Sequence, residues 1–521
     1  MWIRKLAIAG AFLLLPTLAI APLQAAERLV GLDEYIERGM SDWGIPGLAV
    51  AVVHRDEIIY ARGFGELERG EGAAVDPDTL FGVASTTKAM TAAALAMLVD
   101  EGKLDWDDRV VDHMPGFRLS DPWVTGEVRV HDLLTHRVGV GRMTGNRLRF
   151  MPNRSRSDVI HQMRYLDFEQ PFRSDYVYSN VMYSVAGELI PAITGESWDD
   201  FLADRLFEPL GMDRSNTSIE QIPEDESNVV TPHQEIDGEV RTIPMRNFDN
   251  VGPSASVNST VHDMAQWMRL QLGEPGKFEG ERLISDTQMQ IMHQPWMPLA
   301  RDHVESPISA YGLGWRLGSY RGYQIAQHGG ATDGMNTELM LVPEMDLGII
   351  VTTNLFNTFR SALTRNVIDR MGEYRAYDWH NHLLSSHREH YESVMAERRE
   401  IHQNRQEGTE PSLSREALIG AYEDDLYAEA EIYENEDGGL SLRFWEDDSQ
   451  VADLEHWHHD TWRAVWRNPG QREKFIRFTR DGDGAVDELH VTWTLRPDLL
   501  QVGAYPSGYQ RTVRYTPVRD D

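Results

Sequence analysis

From Thr79 to Val99 the chain carries one ionisable side chain, Lys88. The run reads Thr-Leu-Phe-Gly-Val-Ala, then Ser85-Thr86-Thr87-Lys88, then Ala-Met-Thr-Ala-Ala-Ala-Leu-Ala-Met-Leu-Val. Alanine, leucine and methionine favour helix, and a helix apolar on nearly every face has no side to offer to water. The fold must therefore supply enough layers to bury this one all round. A buried ammonium has to find partners or lose its proton, because burial disfavours the charged form and can lower a lysine pKa by several units. Lys88 thus becomes a candidate base toward Ser85, which lies at i−3 on the same helical face. Ser85 also falls where the helix should begin, beside free backbone amides and the positive end of the helix dipole. Read for structure alone, the same residues are a helix N-cap and an incidental lysine. The scarcity of lysine weighs against incidence: Lys5, Lys88, Lys103, Lys277 and Lys474 are the only five among 50 basic residues.

A chain of 521 residues with 41% hydrophobic and 9% aromatic content buries a large core and is expected to form more than one domain. Its formal net charge of −33 argues against nucleic acid and anionic lipid as partners, since both need a basic surface. With no cysteine there are no disulfides, no thiol catalysis and no lipid attachment through a cysteine. Residues 1–26 have the pattern of a secretory signal: Arg4 and Lys5, an apolar stretch from Leu6 to Leu23, and small residues at Gln24-Ala25-Ala26. The expectation is a periplasmic or extracellular protein. An uncleaved signal anchor is the alternative, because the apolar stretch approaches spanning length, and it is the one membrane contact expected.

Beyond the signal, Gly47 to Arg69 alternates as a hairpin turning at Arg55-Asp56-Glu57. The middle, about Thr79 to Leu272, reads as mostly helical, with helices after Ser85, after Tyr178-Ser179-Asn180, and from Asp263 to Leu272. Strand patterns return at Tyr311–Leu317, Tyr323–His328, Asn336–Val342 and Leu347–Thr353, followed by a helix over Phe359–Met371. Strands at both ends with helices between them describe an α/β domain whose sheet joins its N- and C-terminal segments. Residues 373–411 are polar and charge-rich, with no more than a helical turn or two of apolar periodicity, and read as a connector between domains. From Ser412 to Asp521, short alternating strands separated by turns such as Asp437-Gly438-Gly439 predict a small antiparallel barrel or sandwich.

Two further patterns carry chemistry. Tyr178-Ser179-Asn180 stands at the start of the apolar helix Val181–Ile193, and His328-Gly329-Gly330 ends a strand with two glycines that permit close approach. Together with Ser85 and Lys88, these resemble the three motifs of the serine penicillin-recognising hydrolases, in particular the class C β-lactamase-like branch that holds D-stereospecific peptidases, amidases and carboxylesterases. Asp132-Leu133-Leu134-Thr135-His136, Phe207-Glu208-Pro209-Leu210-Gly211-Met212 and Tyr311-Gly312-Leu313-Gly314-Trp315 stand in the order and spacing of that branch, so the resemblance spans about residues 29–372. The C-terminal segment, with Glu455-His456-Trp457-His458 and its many tryptophans, resembles the lipocalin-like domain appended to such hydrolases.

The resemblance implies an α/β fold of the β-lactamase/transpeptidase type, with an antiparallel sheet flanked by helices and an inserted helical region over 27–372, then a small all-β lipocalin-like barrel over 412–521. It implies that Ser85 is the nucleophile of an acyl-enzyme, that Lys88 helps deprotonate it, and that Tyr178 is general base or proton shuttle. Asn180 would bind substrate with His328, Gly329 and Gly330, and the backbone N–H groups of Ser85 and Ala331 would form the oxyanion hole. No metal and no cofactor are implied, the partner is a small-molecule or peptide substrate, and a homo-oligomer is compatible.

The third motif departs from the β-lactamase pattern of lysine, then threonine or serine, then glycine. Gly329 supplies no hydroxyl, and an ordinary histidine is largely neutral at pH 7. This favours an ester, amide or D-amino-acid-containing peptide over a β-lactam. The alternatives are a true β-lactamase or D-alanyl-D-alanine peptidase and, in another class, a non-catalytic cell-wall peptide-binding protein. Ser85 lacks the Gly-x-Ser-x-Gly elbow of α/β-hydrolases. The histidines at 380, 382, 387 and 390, and at 456, 458 and 459, read as a solvated face and as barrel packing, without metal-ligand spacing.

Overall fold

The computed structural model describes residues 21–141, 145–151, 154–299, 309–471, 473–494 and 510–518. The expected signal, residues 1–26, lies largely outside them; its last residues begin a short helix, Ala21–Arg28. No described helix is long and apolar enough to cross a membrane.

The first strands, β1 (Gly47–His54) and β2 (Glu57–Gly65), form the expected hairpin. Six more strands return late in the chain: β3 (Met297–Pro298), β4 (Ala310–Tyr311), β5 (Arg316–Tyr320), β6 (Tyr323–Thr332), β7 (Met335–Val342) and β8 (Leu347–Thr353). They complete an antiparallel sheet in the order β2-β1-β8-β7-β6-β5-β4-β3. The join is the β1–β8 ladder, in register from Leu48↔Thr353 to His54↔Leu347. Because side chains alternate across a strand, β1 feeds two apolar layers at once. Leu48, Val50 and Val52 meet α1 (Leu32–Trp43) and the late helix Phe359–Met371, whereas Ala49, Ala51 and Val53 join the core of the helical region.

That helical region is built on α2 (Thr87–Asp100), α3 (Asn180–Thr194) and α4 (Val261–Gln271). From Thr87 to Leu98 every residue of α2 is buried, as its composition demanded. The strand expected over Tyr311–Leu317 is interrupted at Gly312–Trp315. There Gly314, at φ 82°, presses against α2 so closely that a Cβ would stand 2.7 Å from the Ala89 Cα.

The late helix α5 (Phe359–Met371) covers the sheet as expected, but residues 373–411 correct the sequence reading. They hold α6 (Trp379–Gln403), a helix of 25 residues, so the polar connector is far more helical than the turn or two that its periodicity suggests. Its start is capped by Asp378, which accepts from the Asn381 amide at 3.1 Å, and Leu383 and Leu384 anchor its first turns on the outer core. The rest is polar because it bridges two bodies, with few apolar neighbours to report a period. Arg398 and His402 each reach Glu473 of the following domain at 2.8 Å, and Arg398 also pairs with Asp237 at 2.9 Å.

After a single turn of helix, Arg415–Leu418, eight antiparallel strands from Gly420–Asp424 to Gln510–Pro517 close into a barrel. Closure between first and last strands, Tyr422↔Pro517 and Glu423↔Thr516, removes the exposed edges of an open sheet. Ile432, Leu442, Phe444, Ala464, Ile476, Leu489, Val491 and Tyr515 are buried within it. Arg154 of the helical region pairs with Glu429 of the barrel at 2.7 Å.

Candidate active site

The turn that carries Ser85 is a single 3₁₀ turn, Ala84–Thr86, running straight into α2. Ala84 sits at φ 50°, a left-handed conformation that costs a non-glycine residue about 1 kcal/mol and is retained only where surrounding structure enforces it. The enforcement is one long-range and one local hydrogen bond. The Val83 amide donates to the Val257 carbonyl at 2.9 Å, and the Thr86 hydroxyl donates to the Val83 carbonyl at 2.9 Å. Ser85 is left half-buried at the surface of this turn, while Lys88 one turn later is wholly enclosed.

Among the described residues Lys88 Nζ has three polar neighbours: Asn180 Oδ1 at 2.8 Å, the Ser254 carbonyl at 2.8 Å and Ser85 Oγ at 3.2 Å. None is an anion. The faces of Tyr178 and Tyr183 lie 4.8 and 5.3 Å from it. Burial without a counter-ion among the described residues, aided by the charge of Arg149, holds the amine well below the ordinary lysine range. The two carbonyl-type oxygens can only accept, so they fix two N–H bonds of the neutral amine. The lone pair is then left for Ser85, whose hydroxyl can donate. Tyr178 donates its phenolic hydrogen to Ser85 Oγ at 2.9 Å from the other side. The arrangement is a hydroxyl poised to give its proton to an amine while a phenol stabilises its oxygen.

Tyr178 and Asn180 come from the extended approach to α3 and its first residue. The Asn180 amide donates to Asn146 Oδ1 at 2.8 Å, which fixes the helix start. The Ser254 carbonyl is presented by the short helix Gly252–Ala255, held on α2 by Thr91, whose hydroxyl donates to the Pro253 carbonyl at 2.7 Å. Sequence reading did not find Ser254. Its contribution is a main-chain oxygen, for which residue identity gives no signal.

The third motif lies on β6. Pairing of β5 to β6 stops at Arg316↔Gln327, and beyond it His328–Thr332 run past the Ser85 turn. A Cβ on Gly330 would meet the Val83 carbonyl at 2.2 Å and the Ser85 nitrogen at 3.1 Å, so glycine alone lets the strand come this close. Ala331 follows on the strand, half-buried, and Gly329 is exposed. His328 is buried and is not a free cation. Its Nδ1–H donates to the Gly329 carbonyl at 2.8 Å, leaving Nε2 to accept from the Tyr311 hydroxyl at 2.8 Å. Burial first, then the charges of Lys88 and Arg316, push its pKa down to about 3. Ser85, Lys88, Tyr178 and Asn180 are thus joined by hydrogen bonds, whereas His328 joins Tyr311, 6.5 Å from the Tyr178 ring between centroids.

A β-lactamase family model matches residues 32–370, well over half of the chain. The chain belongs to the β-lactamase family. A second model, a domain of unknown function (DUF3471), matches residues 404–502 in the barrel region. The chain is 30% identical over 378 residues to an unguisins hydrolase from Aspergillus campestris, covering 69% of each chain. In fold it is similar to the octameric penicillin-binding protein homologue from Pyrococcus abyssi, with TM-score 0.59, 20% identity, and 88% of this chain and 97% of that one covered. It is similar also to the D-amino acid amidase from Ochrobactrum anthropi SV3, with TM-score 0.55, 20% identity, and 68% and 98% covered. Membership accounts for the β-lactamase-like sheet with its inserted helices, and the eight-stranded barrel completes the expected two-part architecture.

Proposed function

We propose that the protein is an exported serine hydrolase acting through an acyl-enzyme on an ester, an amide or a D-amino-acid-containing peptide. The observation that carries this reading is Ser85 Oγ, half-exposed between the Lys88 amine at 3.2 Å and the Tyr178 hydroxyl at 2.9 Å. Lys88 takes the Ser85 proton as Oγ attacks the substrate carbonyl. The resulting oxyanion is held by the backbone N–H groups of Ser85 and Ala331, a type of contact whose loss costs on the order of 3 kcal/mol. The proton returns through Tyr178 to the leaving group, and water releases the acyl group from Ser85. Asn180 orients the substrate amide or carbonyl from the same face.

The neutral His328 and the bare Gly329 favour substrates without the carboxylate that a β-lactam presents. The hydrolase name of the Aspergillus relative and the amidase among the structural neighbours support hydrolysis of amide-type bonds. Arg4, Lys5 and the apolar stretch to Leu23 support export, and the octameric neighbour supports a homo-oligomer.

The test is Ser85→Ala. Turnover of p-nitrophenyl esters and D-amino-acid amides, and covalent labelling by a fluorophosphonate, should both vanish while the melting temperature holds. Survival of either in the folded variant overturns the assignment. Faster turnover of nitrocefin than of the esters and amides would return the β-lactamase reading, and binding of cell-wall peptide without any turnover the non-catalytic one.

A further inference from the structure

His136 closes the Asp132–His136 motif that the chemistry above leaves unused. It is fully buried and stands at φ 58°, in the left-handed region. Two of its atoms grip the chain on either side of Tyr178. Its carbonyl accepts from the Val177 amide at 2.7 Å, and its Nδ1 accepts from the Ser179 amide at 3.1 Å. Its ring packs on the Tyr178 ring with centroids 4.4 Å apart, and on Tyr311, the partner of His328, at 4.7 Å. Among the described residues Nε2 has no hydrogen-bond partner. An imidazole whose Nδ1 accepts carries its proton on Nε2, and protonating Nδ1 would set two N–H groups against each other.

We propose that His136 is a positioning residue for Tyr178: by accepting from both flanking amides it fixes the phenol on Ser85 Oγ, and the Nδ1 acceptor is the part of the side chain that does so. This rests on the reading of Ser85 and Tyr178 as the reacting pair. The burial of His136 and the nearby Lys88, His328 and Arg316 keep the ring neutral, well below its ordinary pKa, which preserves the acceptor. A loosened Tyr178 would still leave the substrate-binding surface in place. A displacement of about 1 Å in a reacting group costs roughly 100-fold in rate, so the loss should fall on kcat and leave KM alone.

The test compares His136→Asn with His136→Gln. Asparagine places its Oδ1 where Nδ1 stands and tolerates left-handed backbone; glutamine moves its polar end to the Nε2 position. In the full-length protein, kcat and KM for a p-nitrophenyl ester, the fluorophosphonate labelling rate and the melting temperature are measured for wild type, both variants and Ser85→Ala. The expected result is a kcat and labelling rate lowered roughly 100-fold in His136→Gln at unchanged KM, with most of the loss recovered in His136→Asn. Should His136→Gln not fold, a near-wild-type kcat in His136→Asn supports the proposal and a tenfold or greater loss in a folded His136→Asn overturns it. Equal kcat losses in the two variants, or none in either, overturn it as well. Activity persisting in Ser85→Ala would instead defeat the underlying reading.

Discussion

The Ser254 carbonyl oxygen stands 2.8 Å from Lys88 Nζ, on a helical segment 166 residues further along the chain. With Asn180 Oδ1 it occupies the two hydrogens of a neutral amine and turns the remaining lone pair toward Ser85. Neither oxygen bears a full charge, so the contact orients the amine without stabilising its protonated form as a carboxylate would.

Replacing Lys88 by methionine removes the proposed base and a buried polar group together. Loss of a general base costs roughly 100- to 10,000-fold. The expected outcome is a kcat/KM lowered at least 100-fold with a melting temperature equal to or above that of the wild type, read by ester turnover and calorimetry. A large fall in melting temperature would mean that Lys88 is chiefly structural.

The acid side of the rate profile should report Lys88. The proposed mechanism needs the neutral amine, so kcat/KM should rise with pH as Lys88 deprotonates, with a plateau beginning well below the ordinary lysine value. His328, with its pKa pushed down to about 3, stays neutral across about pH 4 to 8 and contributes no limb there. His328→Asn should therefore leave the midpoint of the acid limb in place, and its disappearance in that variant would contradict the assignment.

Gly330→Ala would drive a methyl into the Val83 carbonyl, at 2.2 Å, and against the Ser85 nitrogen. Either β6 or the strained Ala84 turn must shift, at a cost of about 1–3 kcal/mol in stability. The proposed nucleophile and oxyanion hole move with them, so kcat should fall more steeply than the folded fraction. Labelling kinetics compared with thermal melts will separate the two effects.

Glu473 tests the seam between α6 and the barrel. Although burial alone would raise its pKa, hydrogen bonds from His402, Arg398 and Arg463 lower it to about 2. A carboxylate depressed in the folded state adds stability above its ordinary value near 4.5, and that contribution is lost as pH falls from there toward about 2. The wild type should lose melting temperature over that window, and Glu473→Gln should show a lower, flatter profile. Equal slopes in the two proteins would show that the cluster does not bind the seam.

The reading of Thr79–Val99 succeeded because a charge-free helix leaves few options: it must be buried, and a lysine within it must be partnered. The hairpin and the late strands were legible for the same kind of reason, since alternating Val, Ala and Ile report a strand whatever surrounds it. What escaped had no local signature. α6 is polar because most of it bridges domains, so the hydrophobic period that marks other helices is thin there. The break at Gly312–Trp315 follows from the approach of α2, a tertiary fact. His136 was visible as part of a motif, but its grip on the amides beside Tyr178 depends on a left-handed backbone that a histidine does not announce.

The β1–β8 ladder also sets the order in which this protein can come into being. Leu48 has to wait for Thr353, and the Ser85 turn is pinned by Val257 and flanked by residues 328–332, so no shorter nascent chain contains the complete candidate site. Until residues 347–353 leave the ribosome, the Val-rich strand β1 has a partner on one edge only, and its other edge is left unpaired. Closing so long a loop costs little more free energy than closing one of half its length, because the entropy grows only with the logarithm of length. The delay is therefore paid in time and exposure, while the intervening helical region is left wide latitude to change in length and sequence around a fixed sheet.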